Sequence, residues 1–166
     1  MDAMRGFLLV FFPNCGNLRQ IRAVMRKVSD ILTRKGNRVS MVSPDTNVIE
    51  ALQLMAEQNI GSLVVVSDNQ FAGILTERDY SRKVVLKGRN SSDTTVAEIM
   101  TTDFPPVTLT DTVEKCMQLM SLHHIRYLPV IVEDELVGIV SMNDVVTETI
   151  LNQEETISQL QIYIQS

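Results

Sequence analysis

Apolar positions recur along this chain with two alternating periods. From Asn47 to Gln58 and from Thr112 to His123 they fall three or four residues apart: Val48, Leu52 and Met55 in the first stretch, Val113, Met117 and Met120 in the second. That spacing sets them on one face of a helix and predicts two amphipathic helices. A short extended segment precedes each, Val39–Val42 or Pro106–Thr108. A compact apolar run follows, Leu63–Ser67 or Tyr127–Val132, short enough for a buried strand. Turn residues Asp68-Asn69 and Glu133-Asp134 then lead to second strands, Phe71–Leu75 and Leu136–Val140. A further helix opens near Thr76 and near Ser141.

The two stretches are one unit written twice. A shift of 65 residues aligns Val42–Asp79 with Val107–Asp144 without a gap. Gln53-Leu54-Met55 meets Gln118-Leu119-Met120, Ile60 meets Ile125, Leu63 meets Leu128, and Gly73-Ile74 meets Gly138-Ile139. Each copy therefore reads strand–helix–strand–strand–helix. One copy of roughly 50–60 residues would bury little surface alone, whereas two packed sheet to sheet share a core. Lys87–Thr95, rich in Gly, Ser and Asp, is the connector. Ile21–Arg34 is expected to be a helix before the first copy. Ile150, Ile157, Leu160 and Ile164 mark an amphipathic C-terminal helix, a stripe suited to core or dimer contact. The expected organisation is an extension over 1–20, the N-terminal helix and first copy over 21–90, the second copy over 91–152 and the C-terminal helix over 153–166.

Composition narrows the function classes. The 166 residues are 45% apolar but only 5% aromatic, with no Trp, which implies an aliphatic core of helices on sheets in the α/β (α+β) class. The net charge is −5, and every residue after Arg126 is acidic or neutral. That distribution argues against nucleic acid as a partner, although Arg78–Arg89 forms a local basic face. Two cysteines, Cys15 and Cys116, are too few for a disulfide framework or a zinc site. His123 and His124 are adjacent and diverge on a helix, so no metal is expected. No run approaches membrane-spanning length. The sequence shows no nucleophile–base–orienter set, so an enzyme is not expected. Near the N-terminus, Gly6–Phe12 is an apolar run behind Arg5, and Ala3–Ser29 carries five basic and no acidic residues. This reads as an ordinary extension of a cytoplasmic protein or as an organelle transit segment.

The duplicated chemistry lies at a strand-to-helix corner: Gly73-Ile74-Leu75-Thr76-Glu77-Arg78-Asp79 and Gly138-Ile139-Val140-Ser141-Met142-Asn143-Asp144. Ser/Thr three residues before an acid is a capping-box pattern. The same corner offers free N–H groups, a positive dipole end and a carboxylate able to accept from two ribose hydroxyls. The two readings are compatible if the hydroxyl caps while Asp faces a ligand.

On these motifs the chain resembles a tandem pair of CBS domains, a Bateman module, over about Val39–Leu151. The flanking Tyr80, Glu98-Ile99-Met100-Thr101 and Ile157–Tyr163 resemble stand-alone CBS-pair proteins. The resemblance implies two β-α-β-β-α repeats with pseudo-two-fold symmetry and flanking helices, no catalytic cofactor, a homodimer, and AMP, ADP, ATP, NAD or S-adenosylmethionine between the repeats. It implies that Asp79 and Asp144 hold ribose and that Thr76 and Ser141 contact ribose or phosphate. Val42, or Val107 and Thr108, would read adenine, flanked by Ile60 or Ile125. Arg126 would meet phosphate. Arg78, or Asn143 beside Met142 in the second copy, would reach the phosphate held by the other copy. Because Gly61 stands where the second copy has Arg126, the better site is expected at Asp144, with Ser141, Arg126, Arg78 and Arg82. The module would sense a nucleotide and modulate a protein partner, away from membranes. The rival readings are a ligand-free dimeric scaffold and a nucleic-acid regulator.

Overall fold

The structure is a computed structural model; it describes residues 25–164 except 37 and 69. The expected extension 1–20, Cys15, Ile21 to residue 24, and the end of the 153–166 segment lie outside the described residues. The chain runs α1 (Val28–Lys35), β1 (Met41–Val42), α2 (Val48–Gln58), β2 (Ser62–Ser67), β3 (Gln70–Thr76), α3 (Glu77–Lys83) and a 3-10 turn (Val85–Lys87). It continues through α4 (Val96–Ile99), α5 (Val113–His123), β4 (Tyr127–Val132), β5 (Glu135–Ser141) and α6 (Met142–Ile164).

The helical periodicity becomes structure in both copies with one shift of face: the expected Leu52 is half-buried and the expected Met117 exposed, and the smaller Ala51 and Cys116 take the inner positions. Val48, Ala51 and Met55 are the buried face of α2, and Val113, Cys116 and Met120 that of α5. Both helices end on a left-handed residue, Asn59 or His124, each with φ 53°. That conformation stops a helix by turning the chain away, and Asn tolerates it better than most residues. β1 runs parallel to β2, and β2 pairs antiparallel with β3. In the second copy β4 pairs with β5, but the expected strand Pro106–Thr108 shrinks to a single bridge from Val107 to Val130. The register slips at equivalent places, Val65/Val66 and Val130/Ile131. Leu63, Val65 and Leu75 face the first core. Val64 and Ile74, partners across the two strands, are fully buried on the opposite face, where β3 approaches β5 and the two sheets meet.

The leading helices cross over. Val28, Ile31 and Leu32 of α1 belong to the core of the second copy, with Val113, Leu128, Val130 and Val140. Val96 and Ile99 of α4 enter the core of the first copy, with Val48, Met55, Leu63 and Leu75. Backbone hydrogen bonds fix the exchange symmetrically: the Val28 amide donates to Asp111 O at 2.9 Å, and the Val96 amide to Thr46 O at 2.9 Å. Grouping α1 with the first copy, as chain order does over 21–90, is therefore right for sequence and wrong for packing. The two leaders are themselves a repeat, Val28-Ser29-Asp30-Ile31-Leu32-Thr33 against Val96-Ala97-Glu98-Ile99-Met100-Thr101, offset by 68 residues rather than 65. The three extra residues after the first leader allow α1 a further turn, which carries Lys35 toward the second copy's motif.

At the C-terminus there is no break at residue 152. The first copy ends its last helix at Lys83 and, after the 3-10 turn, at left-handed Gly88. The equivalent position is Gln153, so α6 continues for 23 residues. Its inner side is tied by Glu148, only 2% exposed, to Arg26 at 3.5 Å and Arg34 at 3.1 Å. Arg26 also reaches Glu155 at 2.5 Å.

Candidate functional site

Both motif corners form capping boxes. In α3 the Thr76 hydroxyl accepts from the Asp79 amide at 3.1 Å while Asp79 Oδ2 accepts from the Thr76 amide at 3.1 Å and its hydroxyl at 2.5 Å. In α6 the Ser141 hydroxyl accepts from the Asp144 amide at 3.2 Å, and Asp144 Oδ2 accepts from the Ser141 amide at 2.8 Å and hydroxyl at 2.7 Å. Satisfying these orphan amides is worth about 0.5–2 kcal/mol per helix start.

The remaining oxygens differ. Asp79 Oδ1 accepts from the Thr101 hydroxyl at 3.0 Å and from Lys83 Nζ at 2.8 Å. Lys83 is held there by the carbonyls that close α4, with Ile99 O at 2.6 Å. Asp144 receives Lys35 Nζ on Oδ2 at 2.7 Å, leaving Oδ1 without a hydrogen bond among the described residues. Burial disfavours the Asp144 carboxylate, but the Lys35 ammonium and the Ser141 amide and hydroxyl outweigh it and hold Asp144 below the ordinary carboxylate range.

A cleft of about 400 Å³ opens between the copies. From the first copy it takes Thr76, Asp79, Arg78 and Arg82; from the second it takes Ile125 and Arg126. Arg78 Nη1 spans the gap and donates to His124 O at 3.2 Å. The three expected arginines thus do share one cleft, but its aspartate is Asp79. Asp144, Ser141, Met142, Asn143, Val107 and Thr108 are not among its lining residues, and neither are Val42 and Ile60. Arg126 lines the cleft that holds Asp79 of the other copy rather than standing beside Asp144, because the C-terminal end of α5 faces the start of α3. Val107 and Thr108 serve the backbone instead: Val107 bridges to β4, and the Thr108 amide donates to Asp111 at 2.8 Å.

Several lining residues were not foreseen: Glu77, Lys83, Thr101, Phe104, His124 and Tyr127. Lys83 was legible as a basic residue one turn after Asp79. Thr101 was legible only through the leader repeat. Gly61 lies against Glu77 and Tyr127: a Cβ there would stand 3.3 Å from Glu77 Oε2 and 3.4 Å from the Tyr127 hydroxyl. Among the described residues no cluster of His, Cys, Asp and Glu is arranged to hold a metal. None of their helices is long and apolar enough to cross a membrane.

Comparison with known proteins assigns the family. The CBS domain model matches residues 28–85 and 96–150. Each matched segment thus includes the leader that packs onto the other copy. The chain is 37% identical over 147 residues to CBSX3, a mitochondrial CBS domain-containing protein of Arabidopsis thaliana, covering 83% of this chain and 71% of that one. It superposes on a putative signal-transduction protein with CBS domains from Burkholderia ambifaria with TM-score 0.74 and 42% identity, covering 76% and 96% of the two chains. The CBS domain pair of MJ0100, crystallised with 5'-methylthioadenosine and S-adenosyl-L-methionine, shares the fold at TM-score 0.66 and 24% identity, over 75% and 96%. The chain belongs to the CBS-domain family and carries two of its domains in tandem.

Proposed function

We propose that this CBS pair is a non-catalytic regulatory module that binds an adenine nucleotide, AMP, ADP, ATP or NAD, in the cleft between its copies and passes occupancy to a protein partner. The observation that carries the reading is the grouping of the Thr76–Asp79 corner of one copy with Arg126 of the other, and with Arg78 and Arg82. Guanidinium groups match phosphate oxygens with paired N–H donors, and the Thr76–Asp79 corner stands beside them in the same cleft. Ile125 supplies an apolar wall for the base. The MJ0100 complex supports the reading to this extent: the fold can hold an adenosine compound. Ser141 and Asp144, with Oδ1 open, form a second, weaker corner, with Met142 and Asn143 between them, Val107 and Thr108 elsewhere in the same copy, and Val42 and Ile60 in the first copy. We place the protein in the cytoplasm or, by likeness to its plant relative, in an organelle. It acts as a homodimer, and the exposed α6 residues Ile150, Ile157 and Leu160 are the surface offered to a second subunit or a partner.

Titration calorimetry with AMP, ADP, ATP and NAD tests this. Binding by at least one is expected, and Arg126→Gln weakens it about tenfold or more without moving the melting temperature. No heat from any of the four at millimolar concentration would overturn the proposal and leave the ligand-free scaffold.

A further inference from the structure

Helix α6 presents two different faces. Its inner side is spent within the chain: Val145 is in the second core, Glu148 pairs with Arg26 and Arg34, and Glu155 pairs with Arg26. On the opposite side Val146, Ile150, Gln153, Ile157, Leu160 and Ile164 follow one another at alternating steps of four and three residues. The apolar members of this strip are between 40% and 81% exposed, and Gln153 is exposed with them. Such steps average about 3.5 residues, the repeat of a coiled coil with seam positions a and d. Ile150, Ile157 and Ile164 take a; Val146, Gln153 and Leu160 take d. The duplication does not account for the strip, since α3 stops at Lys83. Nor does the family, whose model matches the second copy only as far as residue 150.

From this strip we infer that α6 pairs with α6 of a second copy, parallel and in register, as a two-stranded coiled coil. Ile at a with Leu at d favours two strands. The positions that flank the strip, Thr147, Thr149, Glu154, Thr156 and Gln161, hold one acid and no base. In the parallel pair Glu154 faces Thr149 and Gln161 faces Thr156, so no like charges meet. A basic partner helix would find a single acid to recognise, and an anionic membrane surface would find no cation. Gln153 decides the direction. In the parallel pair its amide meets its own two-fold mate, and each can donate to the other. Antiparallel pairing with full overlap would set Gln153 against Ile157 and leave that amide buried without a partner. The strip is short, but the second core already fixes the start of its helix, so pairing does not have to nucleate it. The buried side of α6 points away from the seam, which keeps the two bodies outside it. The inference deepens the homodimer reading above and is independent of what fills the cleft.

Light scattering on the full chain gives the oligomeric state. Cysteines introduced into a Cys15→Ser chain, in which Cys116 is buried, give the geometry. A dimer is expected. Leu160→Cys should close a disulfide to its own counterpart under mild oxidation, and Ser158→Cys, which lies off the seam, should not. Ile157→Glu should weaken the dimer about tenfold or more, and Gln153→Leu should tighten it by about as much, because a polar seam residue costs stability. All four side chains are exposed, so each variant keeps the fold, which circular dichroism verifies. A dimer that Ile157→Glu does not weaken and Leu160→Cys does not lock would overturn the coiled coil and leave a homodimer formed through another face. A chain that stays monomeric at its highest soluble concentration would overturn both.

Discussion

Asp144 couples charge to stability. Its carboxyl is held below the ordinary range because Lys35 and Ser141 outweigh the burial that opposes ionisation. A depressed value in the folded state means that the carboxylate stabilises the fold above the ordinary aspartate pKa of about 3.9 and that this contribution is lost as pH falls through the depressed value. Lys35→Met is expected to lower the melting temperature at pH 7. The gap from the parent chain should close as the pH drops below about 4; a gap that stays constant down to pH 2.5 would show that the pair is not its source. Cys116 is opposite in sign. Burial pushes its thiol up to about 11, so it is neutral and shielded in the folded chain. In a Cys15→Ser chain at pH 8, a maleimide should modify Cys116 only as fast as the protein unfolds. Rapid labelling under native conditions would mean that α5 is not seated as described.

At the scale of elements, the two strand-to-helix corners look alike in sequence but bear different loads. A Cβ on Gly73 would stand 2.6 Å from the backbone oxygen of Thr101, a residue fixed by accepting from the Ile74 amide and donating its own amide to Ile74 O, both at 2.9 Å. A Cβ on Gly138 would instead meet the methyl groups of Leu32 at 2.9 Å, the far end of a side chain that can rotate. Gly73→Ala should therefore cost about 1–3 kcal/mol, and Gly138→Ala distinctly less, by urea midpoints. Equal losses would place the strain elsewhere. Helices α2 and α5 and strands β2 to β5 were legible because helical spacing, compact apolar runs and turn residues are local properties of the chain. The continuity of α6 through residue 152 is written in Gln153, which stands where the first copy has the helix-ending Gly88, and the apolar stripe after Ile150 does not reveal it.

For the whole molecule, the exchange of leading helices makes the two copies one folding unit. Ile31 is fully buried, in a core that it enters with Val28 and Leu32 of α1 and whose remaining members come from residues 107–145. Ile31→Ala should lose about 2–5 kcal/mol, and fluorescence and circular dichroism probes should still report one coincident unfolding transition. Two separate transitions would show that the copies fold independently. The same exchange explains the limits of reading the chain as text. The sequence determined the duplicated unit, the amphipathic faces, the capping corners and the candidate arginines, because each depends on neighbours within a few turns or on self-similarity at a fixed offset. It took the tertiary packing to bring α1 into the second core, Lys35 onto Asp144, and Arg126 into the cleft of Asp79. These follow from the two-fold packing of one copy on the other, which brings together residues far apart in the chain and leaves no spacing in the sequence to record which cation faces which acid.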